Sequence, residues 1–311
     1  MRSKNKDLQT VRKGLVTEYV PPARGALVGR YGVPPFSVLN GRDYDWIVCK
    51  RRWLKWLNIK SDEGRGDTKE SRIYDRTHNF FNEKYGRTAI SFVSVFDPVL
   101  CELIYRWWGP EKGGMVFDPF CGGSVRGIVA SMMDLNYYGI DIRPDQIKAN
   151  EANWENGPCP KLDVPRPEWV VGDSLKASKK APECDLLFSC PPYGNIEVYS
   201  KLDGDISRLV YEEFEVVHRA IVKRVVRRLK PGGFAVWVVA PFYDRKFKKC
   251  RDFVGDSIRA FEEAGCVYHT DAVYCTPVGT ACLRTSSIFD RGNKKLVRSH
   301  QNVLVFRKDQ E

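Results

Sequence analysis

The sequence predicts an α/β protein, a doubly wound and mostly parallel sheet with a basic N-terminal extension. Two observations carry this: from about residue 91 short apolar runs alternate with helix-patterned segments, and the connections between them are short. Such alternation means βαβ units, which close into a parallel sheet with helices on both faces. A chain of 311 residues is long enough to bury a substantial core. No apolar stretch reaches the roughly 18 residues that a membrane span needs. Met1–Asp7 lacks the apolar run of a signal peptide, so a cytoplasmic protein is expected.

The elements follow in order. Residues 1–35, with Pro21-Pro22, Pro34-Pro35 and several glycines, read as an extended arm rather than a packed unit. Asp43 to Leu57 reads as a helix, with Trp46, Trp53, Trp56 and Leu57 near helical spacing among Lys50, Arg51, Arg52 and Lys55. The tryptophans are expected to fix this helix to the rest of the protein rather than to touch a ligand. Ser61 to Arg76 is polar, charged and glycine-containing, hence a loop or hinge. A helix over Pro98–Trp108 is closed by Gly109-Pro110. Strands are predicted at Met115–Asp118, Tyr137–Asp141, Trp169–Val171, Leu186–Ser189, Phe234–Val239, Val267–Tyr274 and Asn302–Phe306. Helices fall at Val125–Asp134, Pro144–Asn156, Val210–Leu229 and Phe253–Ala264. Two regions result: a basic arm and helix over 1–90, as an extension, and an α/β domain over 91–311.

Charge is unevenly placed. The net charge is +11, and residues 1–76 hold 17 Lys and Arg against 9 Asp and Glu. A second basic cluster runs from Lys223 to Arg251. Excess of this kind attracts polyanions, and phosphate contacts supply most non-specific nucleic-acid affinity. The ten cysteines lack CxxC spacing and the four histidines are dispersed, so no metal site is expected and most thiols should be reduced core residues.

Val116 to Gly127 reads as a strand, a glycine turn and a helix start. Glycines at 122 and 123 let a ligand approach the backbone closely. Asp141, ending the next strand about twenty residues on, is placed to accept ribose hydroxyls. These features fit a nicotinamide cofactor as well as S-adenosylmethionine. Two details favour the second: the acidic Asp118, placed to meet a cationic amino-acid group, and Gly172-Asp173-Ser174, whose carboxylate could take an adenine amine.

Asp185 to Tyr193 is an apolar strand ending in Ser189-Cys190-Pro191-Pro192-Tyr193. The two prolines remove two backbone donors and fix φ, so the turn is rigid. Asp118-Pro119-Phe120-Cys121-Gly122-Gly123 followed by Cys190-Pro191-Pro192-Tyr193 resembles the DNA amino-methyltransferases that make N6-methyladenine or N4-methylcytosine, phage and prophage members especially. The resemblance covers residues 91–307. It implies a Rossmann-like, seven-stranded methyltransferase sheet whose last strand, Asn302–Phe306, is antiparallel. It also implies S-adenosylmethionine bound by Phe96, Pro98, Asp118, Phe120, Gly122, Gly123, Asp141, Asp173 and Ser174.

The catalytic group implied by the resemblance is Cys190, Pro191, Pro192 and Tyr193, acting on a base flipped out of duplex DNA. The Cys190 side chain and the Pro191 carbonyl would accept hydrogen bonds from the target amine, and Tyr193 would stack on the base. The sequence departs from the family at two places. Serine follows the second glycine, and Cys190 replaces the usual Asp, Asn or Ser. Its serine-like shape tips the expectation toward N4 of cytosine over N6 of adenine. A thiolate attack that methylates carbon 5 is disfavoured, because Cys190 precedes both prolines. RNA or protein-amide methylation and a catalytically silent DNA-binding protein are the competing readings. DNA contacts are expected from Lys50, Arg51 and Arg52, from Lys201 and Arg208 in the loop 194–209, and from Arg284, Lys294 and Lys295 between Pro277 and His300.

Overall fold

The structure, a computed structural model, describes residues 33–57, 96–194, 198–244, 246–276 and 294–310, with 278, 285, 288 and 289. The arm before residue 33, the polar stretch Ser61–Arg76, the boundary at residue 90, Arg284 and the Trp56 side chain lie outside the described residues.

The strands are β1 (Val38–Asn40), β2 (Met115–Asp118), β3 (Asn136–Asp141), β4 (Glu168–Val171), β5 (Cys184–Ser189), β6 (Leu229–Val239), β7 (Phe242–Asp244), β8 (Lys249–Arg251), β9 (Cys266–Cys275) and β10 (His300–Lys308). The helices are α1 (Tyr44–Leu57), α2 (Pro98–Trp108), α3 (Val125–Met132), α4 (Pro144–Asn156), α5 (Ser174–Ala177), α6 (Tyr211–Val226) and α7 (Phe253–Glu263). Eight strands form one sheet in the order β1-β9-β10-β6-β5-β2-β3-β4. Only β10 runs against its neighbours, being antiparallel to both β6 and β9, while the other described pairings in this sheet are parallel. The expected seven strands with a reversed last strand are therefore present.

Two features differ from expectation. Val38–Asn40, between the expected arm and the first helix, adds an eighth strand by pairing with Val273–Cys275. A three-residue strand is too short to show a period of two, so pattern gave no sign of it. The β7–β8 hairpin was likewise invisible in the sequence, for the same reason.

Burial on both faces explains the continuous apolar strands. One core layer lies under α2 and α3 and takes in Leu39, Trp46, Cys49, Trp53 and Leu57, so β1 and α1 share the core of the large sheet. The indole N–H groups of Trp46 and Trp53 donate to Asp97 (3.2 Å) and Glu102 (3.0 Å). The other layer, under α6 and α7, is aromatic, with Phe261 stacked on Phe306 at 4.2 Å. Helix starts follow capping chemistry: Asp97 caps α2, with Pro98 in the first turn, and Asp252 caps α7. Among the described residues no helix is long and apolar enough to cross a membrane.

Candidate active site

The chain leaves β2 toward β3 and β4 on one side, then returns to β5 on the other. The carboxyl ends of β2 and β5 thus flank the point where the winding reverses, where ligands bind in sheets of this kind. A cleft of about 1230 Å³ lies there, bordered by Gly122, Gly123, Asp141 and Asp173 at one end and by Cys190, Pro191, Pro192 and Tyr193 at the other. Small-molecule pockets run to about 1,000 Å³, so this cleft is amply large for a cofactor-sized ligand.

The glycine turn is held rigidly from beneath. Asp118 is fully buried, and its Oδ2 accepts from Arg126 Nε (2.5 Å) and Tyr137 Oη (2.7 Å). Arg126 also donates to the carbonyls of Phe120 (2.7 Å) and Cys121 (2.9 Å), and its guanidinium lies 4.5 Å from the Phe96 ring centroid. The Asn150 amide donates to the Gly122 carbonyl at 2.7 Å. Gly122 has φ +48°, a conformation open to glycine, and an added Cβ there or at Gly123 would meet nothing within 4 Å. The turn is therefore a preformed, uncrowded cradle.

This corrects one expectation. Asp118 does not face the cleft and cannot receive a cationic ligand; it neutralises Arg126. A carboxylate buried to this depth requires a partner. Arg126, eight residues on at the start of α3, is that partner, and the sequence reading gave it no role. Ser189 joins the two loops: its hydroxyl donates to Asp118 Oδ1 (2.5 Å) and accepts from Phe120 N–H (3.2 Å).

Asp141 ends β3 and borders the cleft. Its two oxygens accept the N–H groups of Gly122 (3.1 Å) and Arg143 (2.9 Å), leaving further lone pairs for the cleft. Burial pushes its pKa up to about 6 against these two hydrogen bonds. Asp173 borders the cleft and caps α5 through Leu175 N–H at 2.9 Å. Ser174 borders it too, but its hydroxyl is spent on the Pro119 carbonyl at 2.5 Å, which ties the two turns together. Phe96 and Phe120 line the cleft, whereas Pro98 does not; Asp97 takes that place. Pro98 instead begins α2, where its fixed φ serves the helix.

Asp97 is a junction. Its Oδ2 accepts from Trp46, from Tyr274 Oη (2.7 Å) and from Lys50 Nζ (3.0 Å), and its Oδ1 caps α2. Lys50 was expected at a DNA backbone; it lies instead in the cleft wall, paired with Asp97. Helical spacing explains the correction, because Lys50 falls on the face of Trp46 and Trp53, whereas Arg51 and Arg52 are exposed.

At the far end, Cys190 is half-buried and its Sγ lies 3.7 Å from Tyr193 Oη. Gln301 of β10 donates to that hydroxyl (2.5 Å), which also points at the Val238 carbonyl (3.5 Å). The Tyr193 ring is braced edge-on by Phe253 at 6.0 Å, and burial pushes the phenol pKa well up. Both the ring plane and its protonation state are thereby fixed. Gln301 was not foreseen, since no motif links residue 301 to residue 193.

The loop after Tyr193 is described from residue 198, so Asn195 and Glu197 lie outside the described residues. Tyr199 and Gly204 border the cleft, and a Cβ at Gly204 (φ +90°) would lie 3.0 Å from Asp173 Oδ2. The loop thus packs on Asp173 and lies beside the proline turn. Lys201 and Arg208 are exposed, with Arg208 donating to the Lys201 carbonyl (2.8 Å). Lys294 is exposed, and Lys295 borders the cleft with Nζ 3.1 Å from the Tyr243 ring centroid. Among the described residues no cluster of His, Cys, Asp and Glu could hold a metal.

No protein-family model matches the chain, and no curated protein matches it. Among solved structures it is similar to TrmN from Thermus thermophilus, at 16% identity and TM-score 0.44 over 74% of this chain and 53% of that one. It is similar also to magnesium protoporphyrin IX methyltransferase (ChlM) from Synechocystis with bound SAM, at 12% and 0.46 over 78% and 94%. A third is precorrin-6y C5,15-methyltransferase from Geobacter metallireducens, at 11% and 0.44 over 71% and 94%. The chain spans about half the length of TrmN. Likeness at this level concerns the fold alone, so the chemistry of the site rests on its own residues.

Proposed function

We propose that the protein transfers a methyl group from S-adenosylmethionine to the exocyclic amine of a base flipped out of duplex DNA. One observation carries this reading: a single cleft at the winding reversal joins an uncrowded glycine cradle with Asp141 to the rigid turn Cys190-Pro191-Pro192-Tyr193. The Ser189 hydroxyl, just before the proline turn, bonds Asp118 and Phe120 at the glycine turn and so ties the two loops together.

Asp141 suits the ribose hydroxyls, and Asp173 the adenine amine. Lys50, in the wall beside Phe96, suits the carboxylate of the methionine end. The bound cofactor supplies an electrophilic methyl on a sulfonium. An aromatic amine is a poor nucleophile because its lone pair is delocalised into the ring. Acceptors aimed at its hydrogens localise the pair and stabilise the charge that develops on nitrogen. Cys190 and the Pro191 carbonyl are those acceptors here, and Tyr193 is the platform under the base. On giving up that methyl the cofactor would leave as a neutral thioether, and the methylated amine would lose a proton to solvent. Positioning supplies much of the acceleration, since the methyl is already activated.

A thiol is a weak acceptor, so Cys190 leaves cytosine N4 and adenine N6 both open, with N4 ahead on its likeness to serine. The deciding experiment incubates the protein with labelled cofactor and duplex DNA, tRNA or protein, then identifies modified nucleosides by mass spectrometry. N4-methylcytosine or N6-methyladenine in DNA is the expected product. Label confined to tRNA or protein, or 5-methylcytosine with a covalent adduct on a 5-fluorocytosine duplex lost in Cys190→Ala, overturns the reading.

A further inference from the structure

The β7–β8 hairpin rises from the same end of the sheet as the cleft, directly after β6. Its register pairs Phe242 with Arg251, Tyr243 with Cys250 and Asp244 with Lys249. Phe242, Tyr243 and Cys250 border the cleft, so the hairpin forms its lip on the side of Cys190 and Tyr193.

The tip is held in one shape by a buried carboxylate. Asp244 is 1% exposed, and its Oδ1 accepts the N–H groups of Lys246 (3.0 Å) and Phe247 (3.1 Å). Its Oδ2 takes Arg251 through Nε (3.0 Å) and Nη2 (2.8 Å), and Arg251 reaches on to Glu212 at 2.7 Å. Lys248 sits at φ +51° to complete the turn. What this frame presents outward is an aromatic ring among cations. Phe247 is 46% exposed, and Lys246, Lys248 and Lys249 around it are all exposed.

The facing lip repeats the composition. Residues 294–300 contain Lys294, Lys295, Arg298 and His300 around Leu296, which is 86% exposed. Neither 245–250 nor 294–300 contains an Asp or Glu. Lys295 lies over the Tyr243 ring and joins the two lips. Apolar side chains held out among cations at the mouth of a catalytic cleft match a partner that carries phosphates outside and stacked rings inside.

We propose that the β7–β8 hairpin is a DNA-opening element: Lys246, Lys248 and Lys249 hold backbone phosphates, and Phe247 enters the stack beside the extruded base. The inference rests on the reading of the protein as a DNA methyltransferase. Extruding a base leaves a gap and breaks stacking on both sides; an inserted aromatic ring restores part of that stacking. The tip need not reorganise to do so, because Asp244 and Arg251 already fix it.

The test measures binding of a random-sequence duplex across a salt series, together with methyl transfer to genomic DNA in double- and single-stranded form. The triple variant Lys246→Gln, Lys248→Gln, Lys249→Gln should lower the slope of log affinity against log salt by about 2 to 3, one contact per lysine. Phe247→Ala should leave that slope unchanged and lower transfer to duplex about tenfold or more. Transfer to single strands, which need no opening, should stay within about twofold of wild type, and Phe247→Trp should restore duplex activity. Cofactor affinity and melting temperature check that each variant is folded. A wild-type slope in the lysine variant, or an unchanged duplex-to-single-strand ratio in Phe247→Ala, overturns the inference while leaving the methyltransferase reading intact. A wild-type protein that binds the cofactor and modifies no DNA overturns the reading itself.

Discussion

The two ends of the cleft are built in opposite ways. Around the glycine turn, most polar side chains point inward and are paired: Asp118 with Arg126, Tyr137 and Ser189, Asn150 with Gly122, Ser174 with Pro119. Only a few groups, Asp141 and Asp173 above all, keep capacity for a ligand. At the other end, aromatic rings and cations face outward around a short rigid turn. The first arrangement suits one small ligand bound in one pose. The second would suit the polyanion proposed above, with the proline turn and the hairpin tip held in one shape.

The comparison can be broken most forcefully at its rigid end. Arg126→Ala leaves Asp118 buried and unpaired, with an expected stability loss of about 3–5 kcal/mol in denaturant unfolding. A loss below about 1 kcal/mol would mean that the turn does not depend on this pair. At the reacting end, Cys190→Ala should leave the fold and cofactor affinity intact and lower kcat on the order of 10²-fold, as removal of a group acting on the transition state does. Cys190→Ser should recover most of that activity. Equal activity in both variants would remove the thiol from the mechanism.

Asp141 sharpens the contrast through pH. Its pKa of about 6 lies above the ordinary 3.8, so the folded protein holds this proton where the unfolded chain does not. The stabilisation is complete below about 3.8 and is lost as pH rises through about 6. Cofactor affinity should move the other way, rising between pH 5 and 7 as the carboxylate forms, as calorimetric titration at each pH would show. Asp141→Asn should weaken binding about tenfold and flatten that profile. The smallest expected effect is at Gln301→Leu, where loss of the bond to Tyr193 should lower kcat several-fold with little change in melting temperature. Gln301→Glu, which can still reach the hydroxyl, should rescue part of it.

Much of the fold is legible in the sequence because periodicity reports burial. Helices over Pro98–Trp108 and Pro144–Asn156 follow from it, as does the strand Met115–Asp118. What escapes are pairs that meet only in three dimensions. Asp118 reads as a ligand-facing acid because nothing local reveals a buried guanidinium eight residues later. Lys50 reads as one of a basic run until the run is wound into a helix and found on its apolar face. Gln301 and Tyr193 lie 108 positions apart and meet only because β10 inserts beside β6.

That insertion also bears on when the site comes into being. β10 sits between β6 and β9, both earlier in the chain, so these two strands have no ladder between them until residues 300–308 have been synthesised. Gln301 reaches the Tyr193 hydroxyl only then. A nascent chain that has already made its glycine turn and its proline turn therefore still lacks the brace on its substrate platform. The last several-fold of activity should therefore arrive with the entry of the reversed strand.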